Sequence, residues 1–168
     1  FAKVKKAAML TNMESGRLDK RIGDLMVQAA DEIADGKFDD QFPLDPIQGG
    51  AGTSINMNVN EVLCNRSLEL MGEQRGRYDI VSPNNHANMA QSTNDTFPTS
   101  MKVCCIYKTH ILNKALDTLA SELEKKADEY KDVLKMGRTH LQDAVPVTLG
   151  QEMGMYASAI RRGMKRIQ

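Results

Sequence analysis

The sequence predicts an all-α protein. Apolar residues recur at three- and four-residue spacing in several stretches, glycines and prolines divide those stretches from one another, and no period-two alternation of apolar and polar residues stands out. A short helix is expected over residues 2–13, stopping near Gly16. A second is expected over residues 18–34, where Ile22, Leu25, Met26, Ala29 and Ile33 share a face and Gly36 supplies the stop. Residues 38–52 hold Pro43, Pro46 and three glycines and read as a loop. A helix over residues 53–71 follows, with Val59, Val62, Leu63, Leu68 and Leu70 inside it among polar Asn and Ser positions. Residues 72–91 are polar, contain Gly, Asn and Pro, and form a connector. A long helix is expected over residues 95–135, striped by Met101, Cys105, Leu112, Leu116, Leu119 and Leu123. Residues 137–146 read as another loop. The last helix is expected from residue 148 to the end, with Met153, Tyr156, Ile160, Met164 and Ile167 on one face. Long amphipathic helices with narrow apolar seams suggest a bundle, of a kind that subunits can share, although each stripe also reads as ordinary core.

Composition narrows the function classes. The 168 residues are enough to bury a hydrophobic core. Lys+Arg and Asp+Glu both number 22, so the zero net charge gives no electrostatic reason to expect nucleic acid or an anionic membrane as partner. Apolar runs are only a few residues long, which excludes a transmembrane helix, and no signal peptide is visible. Cys64, Cys104 and Cys105 are odd in number and two are adjacent, a poor disulfide framework; reduced thiols in a cytoplasmic protein are the simpler reading. No Cys/His spacing resembles a zinc site. Eleven methionines and no tryptophan fit adaptable core packing. Phe1 in first place and a helical pattern without a stop at Gln168 lead us to expect a piece of a longer chain.

Three polar clusters lie between the helices. Gly49-Gly50-Ala51-Gly52-Thr53-Ser54, followed by Asn56, Asn58 and Asn60, puts flexible backbone and hydroxyls at a helix start. Unpaired N–H groups and the positive end of the helix dipole favour an anion there. The plainer reading is a hydroxyl N-cap. Gln91-Ser92-Thr93-Asn94-Asp95 precedes the long helix; if Asp95 is the cap, Ser92, Thr93 and Asn94 are left for a ligand. Gly137-Arg138-Thr139-His140-Leu141-Gln142-Asp143 places a threonine and an imidazole in a loop, where a histidine is otherwise a solvated surface residue. His86 carries the same ambiguity, and His110, inside a helix, reads as structural. Nothing matches a phosphate loop or a dinucleotide fingerprint. Neutral donors at several turns point to a mono- or dicarboxylate ligand. The reaction does not follow from these features.

The same clusters carry a resemblance. GGAGTSINMNVNEV (49–62), PNNHANMAQSTNDTFP (83–98) and KMGRTHLQDAVPVTLGQ (135–151) resemble, in order and separation, three regions of the aspartase/fumarase superfamily, and FAKVKKAAMLTN and DGKFDDQFPLDPIQGG look like the same family. Within it the details resemble aspartases more than class II fumarases. The latter read GSGTQSNMN where this chain has GAGTSINMN, carry two serines in place of Ser92-Thr93, and usually have threonine in place of Leu141. The resemblance implies an N-terminal helical domain over residues 1–91, truncated at its start. The first long helices of a central helical bundle follow over 92–168, truncated at their end. It implies a small-molecule substrate pair, L-aspartate and fumarate, interconverted by elimination of ammonia through an aci-carboxylate. A homotetramer with active sites shared between subunits and a chemistry that needs no cofactor are also implied; divalent metal activates some members of the family, and no metal site is indicated in these residues. Thr53 is similar to a threonine that touches the substrate's amino group and distal carboxylate. Ser92 and Thr93 are similar to the pair that holds the β-carboxylate, Asn94 to a partner of the amino group, Thr139 to a ligand of the α-carboxylate. His140 is similar to the catalytic histidine that orients substrate and helps the leaving amine. In fumarases the region of His86 contributes to a secondary dicarboxylate site. The family's base, a serine on a GSSxMPxKxNP run, has no counterpart in these residues. A fumarase and a non-catalytic structural member of the superfamily are the alternatives.

Overall fold

The computed structural model describes residues 1–167. Helices dominate, in the order α1 (Ala2–Glu14), α2 (Lys20–Ala34), α3 (Thr53–Met71), α4 (Thr93–Glu129) and α5 (Leu149–Ile167), with a two-stranded hairpin of β1 (Leu134–Thr139) and β2 (Gln142–Thr148) before α5. The chain divides into two compact units, residues 1–103 and the remainder from Cys104 onward.

In the first unit α1, α2 and α3 pack around one core. Met9, Leu18, Met26, Ala29, Ala30, Val59, Leu63, Cys64, Leu68, Val81 and Ala87 are buried together. Local chemistry sets the helix ends. Asp19 caps α2 by accepting from the Ile22 N–H at 3.1 Å, which moves its start two residues past the expected position. Gly72 closes α3 in the left-handed region. Arg66 on α3 reaches α2 with a forked contact to Glu32, Nε to Oε2 at 2.6 Å and Nη2 to Oε1 at 3.3 Å, and this pairing holds the Glu32 carboxyl below its usual range. The connector expected over 72–91 contains one wide helical turn, Pro83–Ala87, opened by Ser82, whose Oγ accepts from the Asn85 N–H.

The second unit holds most of α4, the hairpin and α5. Arg161 on α5 pairs with Glu124 at 2.9 Å and with Asp117, both on α4. Lys135 on β1 pairs with Glu152 on α5 at 2.7 Å. Two expectations change here. The long helix ends at Glu129 rather than near residue 135, because the Gly150 and Leu149 N–H groups donate to the Tyr130 and Val133 carbonyls and fold the chain back on itself. The expected loop over 137–146 lies mostly within antiparallel strands, paired from Leu134↔Thr148 to Thr139↔Gln142, with a register shift between Met136 and Arg138. Its residues are mostly exposed, so no clean alternation announced them. The expected continuation of α5 to Gln168 lies outside the described residues. Ile106, Ile111, Leu112, Leu119, Met155 and Tyr156 remain exposed. No described helix is long and apolar enough to cross a membrane.

Candidate active site

The starts of α3 and α4 adjoin within the first unit. Gly52, at φ 83°, is the N-cap residue of α3, and no side chain caps the helix. The Thr53 hydroxyl donates backwards instead, to the Gly50 carbonyl at 3.0 Å. The hydroxyl-cap reading of Thr53 and Ser54 therefore does not hold. The exposed first turn of α3 keeps its donor-rich, electropositive end. In this arrangement the Thr53 oxygen presents lone pairs, suited to an ammonium group; donating to a carboxylate requires rotation away from Gly50.

Ser92 opens α4. Its carbonyl accepts from the Asp95 and Thr96 N–H groups at 3.1 and 3.0 Å, and its Oγ accepts from the Asn94 N–H at 3.2 Å. Ser92, not Asp95, is thus the cap, and Asp95 lies inside the first turn. Because the backbone amide occupies a lone pair of Ser92 Oγ, the hydroxyl proton is left to donate outward. Thr93 is half-buried and its Oγ1 accepts from Asn56 Nδ2 at 3.0 Å, which ties α3 to α4 beside the exposed Ser92 and Asn94.

Behind this pair lies a buried polar network that the reading of the sequence only partly caught. Asn88 Oδ1 accepts from Lys5 Nζ at 3.1 Å, Asn56 Nδ2 at 3.1 Å and Asn60 Nδ2 at 3.3 Å. Lys5 Nζ also donates to Gln91 Oε1 at 2.9 Å, and Thr96 Oγ1 lies 3.3 Å from Asn56 Oδ1. Lys5 is fully buried, and burial pushes its ammonium down to about 8, only partly offset by the nearby Cys64. Cys64 itself is pushed up to about 12 by burial, so its thiol is inert at neutral pH. Asn56, Asn60 and Gln91 stood within the polar clusters of the sequence; Lys5 and Asn88 did not. The available signal was the buried stripe of α1, Ala2, Lys5, Met9 and Asn12, where two polar residues occupy core positions.

Thr139 and His140 belong to the second unit, at the hairpin tip. Thr139 pairs with Gln142, and His140 and Leu141 form the two-residue turn at φ 51° and 60°. Both positive angles are those of a type I′ hairpin turn. All three side chains are exposed, Leu141 at 96 %. His86, in the turn after Ser82, is half-buried; its Nδ1 accepts from the Ser82 N–H at 2.8 Å, and burial lowers its basicity.

Comparisons with known proteins place the chain in a family. A family model described as lyase matches residues 1–168. An aspartate ammonia-lyase from a Bacillus species is 58% identical over 98% of this chain and 35% of its own length. A class II fumarate hydratase from Caulobacter vibrioides is 49% identical over 98% of this chain and 36% of its own. The solved structure titled fumarate lyase:delta crystallin from Brucella melitensis, in native form, superimposes with TM-score 0.84 at 45% identity, over 98% of this chain and 38% of that one. This chain thus spans about a third of the length of the curated relatives it matches. On the match over its whole length, the chain belongs to the lyase family that includes aspartate ammonia-lyases and class II fumarate hydratases.

Proposed function

We propose that this chain supplies substrate-holding residues to an aspartate ammonia-lyase, which reversibly eliminates ammonia from L-aspartate to give fumarate. The observation that carries the reading is the state of Ser92 and Thr93. Each hydroxyl oxygen already accepts an N–H, from Asn94 and Asn56, so both protons are directed to an outside acceptor. A carboxylate is such an acceptor.

Removing the proton beside the β-carboxylate builds a second negative charge on that group. Preorganised donors that tighten on developing charge contribute about 3–4 kcal/mol each in comparable sites. Ser92 and Thr93 would meet the doubly charged aci-carboxylate, joined by Thr53, at the positive end of α3, once its hydroxyl rotates away from Gly50. Asn94 and His140 would serve the departing amine and Thr139 the α-carboxylate. The proton-abstracting serine is not among these residues, since no GSSxMPxKxNP run occurs in the 168. We further propose a homotetramer with shared sites, in keeping with the large apolar side chains left exposed along α4 and α5. Residues 92–168 would then open its central bundle.

The second reading is a class II fumarase, favoured by the Caulobacter relative. Three features speak for aspartate: GAGTSINMN at 50–58 in place of GSGTQSNMN, Thr93 where fumarases carry serine, and Leu141 where they usually carry threonine. The test is turnover of L-aspartate and of L-malate by the full-length enzyme, followed at fumarate's ultraviolet band. Activity on aspartate alone is expected; activity on malate alone would replace the proposal with the fumarase reading.

A further inference from the structure

We propose that Asn56 is a positioning residue that biases Thr93 to donate toward the substrate carboxylate, and that Lys5 imposes this direction through Asn88. The inference rests on the carboxylate-holding role proposed for Thr93.

The direction follows from chemistry. An ammonium has donors only. Lys5 Nζ therefore requires the oxygens of Asn88 and Gln91 to face it, at 3.1 and 2.9 Å. Gln91 complies: its Nε2 turns away and donates to the Ala87 and Met89 carbonyls. Once Asn88 presents its oxygen to Lys5, the Asn56 amide 3.1 Å from that oxygen has to present its NH2 group. One N–H of that group meets Asn88; the other lies 3.0 Å from Thr93 Oγ1. Thr93 must accept it, and its own proton has to point elsewhere. Thr96 Oγ1 lies 3.3 Å from Asn56 Oδ1 and 3.1 Å from the Ser92 carbonyl, so its one proton is shared between two acceptors and the amide orientation rests on Lys5 and Asn88.

Asn60 shows the strength of the constraint. Its Nδ2 also turns to Asn88 Oδ1, at 3.3 Å, although this leaves its buried Oδ1 with no hydrogen-bond partner. Lys5, Asn56 and Asn60 are almost wholly removed from solvent, and Asn88 and Thr93 are half-buried, so water competes little at the inner members of the relay. Two of the three Lys5 donors are engaged by amide oxygens, and among the described residues no carboxylate pairs with it. A hydroxyl able to rotate would spend part of its time as an acceptor toward the substrate. The relay occupies one of its two lone pairs and turns the proton away from Asn56 before substrate arrives, which is the preorganisation that a developing anion rewards.

The experiment is a double-mutant cycle in the full-length enzyme carrying this segment, read as kcat/KM for L-aspartate. Asn56→Asp is nearly isosteric but only accepts, so Thr93 would turn its proton inward to it. Thr93→Val is expected to lower kcat/KM about 100-fold, and Asn56→Asp by a similar factor. In the Thr93→Val background, Asn56→Asp should cost less than about 3-fold, because the residue acts through a hydroxyl that is no longer there. Losses that multiply would overturn the inference and leave the proposed function standing. Full activity of Thr93→Val would overturn both. Should Asn56→Asp fail to fold, neutron diffraction on the unaltered enzyme decides the matter. Deuterons of Asn56 directed at Asn88 Oδ1 and Thr93 Oγ1 are expected, and a Thr93 deuteron directed at Asn56 would refute the relay.

Discussion

Alanine substitutions along the glycine run before α3 separate backbone conformation from packing. A Cβ built on Gly52 would lie 2.4–2.6 Å from three ring atoms of Phe97, whereas carbon atoms in good contact stand about 3.5–4.0 Å apart. The ring would have to move by roughly 1 Å on that comparison. Phe97 sits one turn beyond Thr93 on α4 and tilts against Phe1 with ring centroids 6.3 Å apart, so it has little room to give. Overpacking of this kind costs about 1–3 kcal/mol. A left-handed conformation adds about 1–2 kcal/mol for a residue with a Cβ, and Gly52 has φ 83°. Gly52→Ala is therefore expected to destabilise the chain by about 2–5 kcal/mol. Gly50 has φ 88° but nothing within 4 Å, so Gly50→Ala should cost only the conformational part, about 1–2 kcal/mol. Gly49 has neither feature, and Gly49→Ala should stay within about 0.5 kcal/mol. Urea unfolding of the 168-residue chain, followed by circular dichroism at constant slope, measures all three. Equal losses for Gly50→Ala and Gly52→Ala would refute the claim that Phe97 closes over Gly52 and couples the loop to the start of α4.

The remaining predictions concern charge, strain and completeness. Lys5 has its proton affinity lowered by burial from 10.5 to about 8, so between those values the unfolded chain holds a proton that the folded chain has lost. Stability should rise with pH across that window relative to Lys5→Met; a flat or falling difference between the two urea series would count against the buried ammonium. Burial lowers His86 below its usual 6.5, so the contribution of its neutral form is lost as pH falls below 6.5, where the unfolded imidazole takes a proton first. His86→Gln should weaken that acid dependence, and an unchanged acid limb would contradict it. Leu141 holds φ 60° at the hairpin turn, where glycine carries no Cβ penalty. Leu141→Gly is expected to stabilise the hairpin by about 1 kcal/mol, seen as a higher melting temperature; a lower one would count against the turn geometry. The 168-residue chain alone should release no fumarate from aspartate, and a rising absorbance at fumarate's band would contradict that.

The helical content was legible because its signals are local. The periodicity of Ile22, Leu25, Met26, Ala29 and Ile33 and the stop at Gly36 lie within one segment, and α2 runs there. The hairpin was not legible. Burial alternates only over residues 134–137, with the apolar Leu134 and Met136 on the exposed positions, β2 is exposed over most of its length, and two residues with positive φ, His140 and Leu141, replace the usual Asn-Gly signal. The cap of α4 was misread for a related reason. Ser92 and Asp95 are both good cap residues, and the choice depends on which carbonyl starts the helical ladder. For the candidate site, the sequence identified the polar turns, including Thr53, Ser92, Thr93 and Asn94. It left unseen that Lys5 and Asn88 stand beneath them.

By itself the amino-acid order determined the helical class, the polar turns between helices and membership in a lyase family, since periodicity, turn chemistry and motif spacing are all written along the chain. Only the tertiary structure decided which way the hydroxyls point. Lys5 and Asn88 are 83 positions apart, Asn56 and Thr93 are 37 apart, and they meet where α1, α3, the turn at Pro83–Ala87 and the start of α4 come together. Hydrogen-bond direction is a property of such meetings. A threonine in a sequence is both donor and acceptor, and packing against an amide whose own orientation is already dictated turns its proton away from that amide.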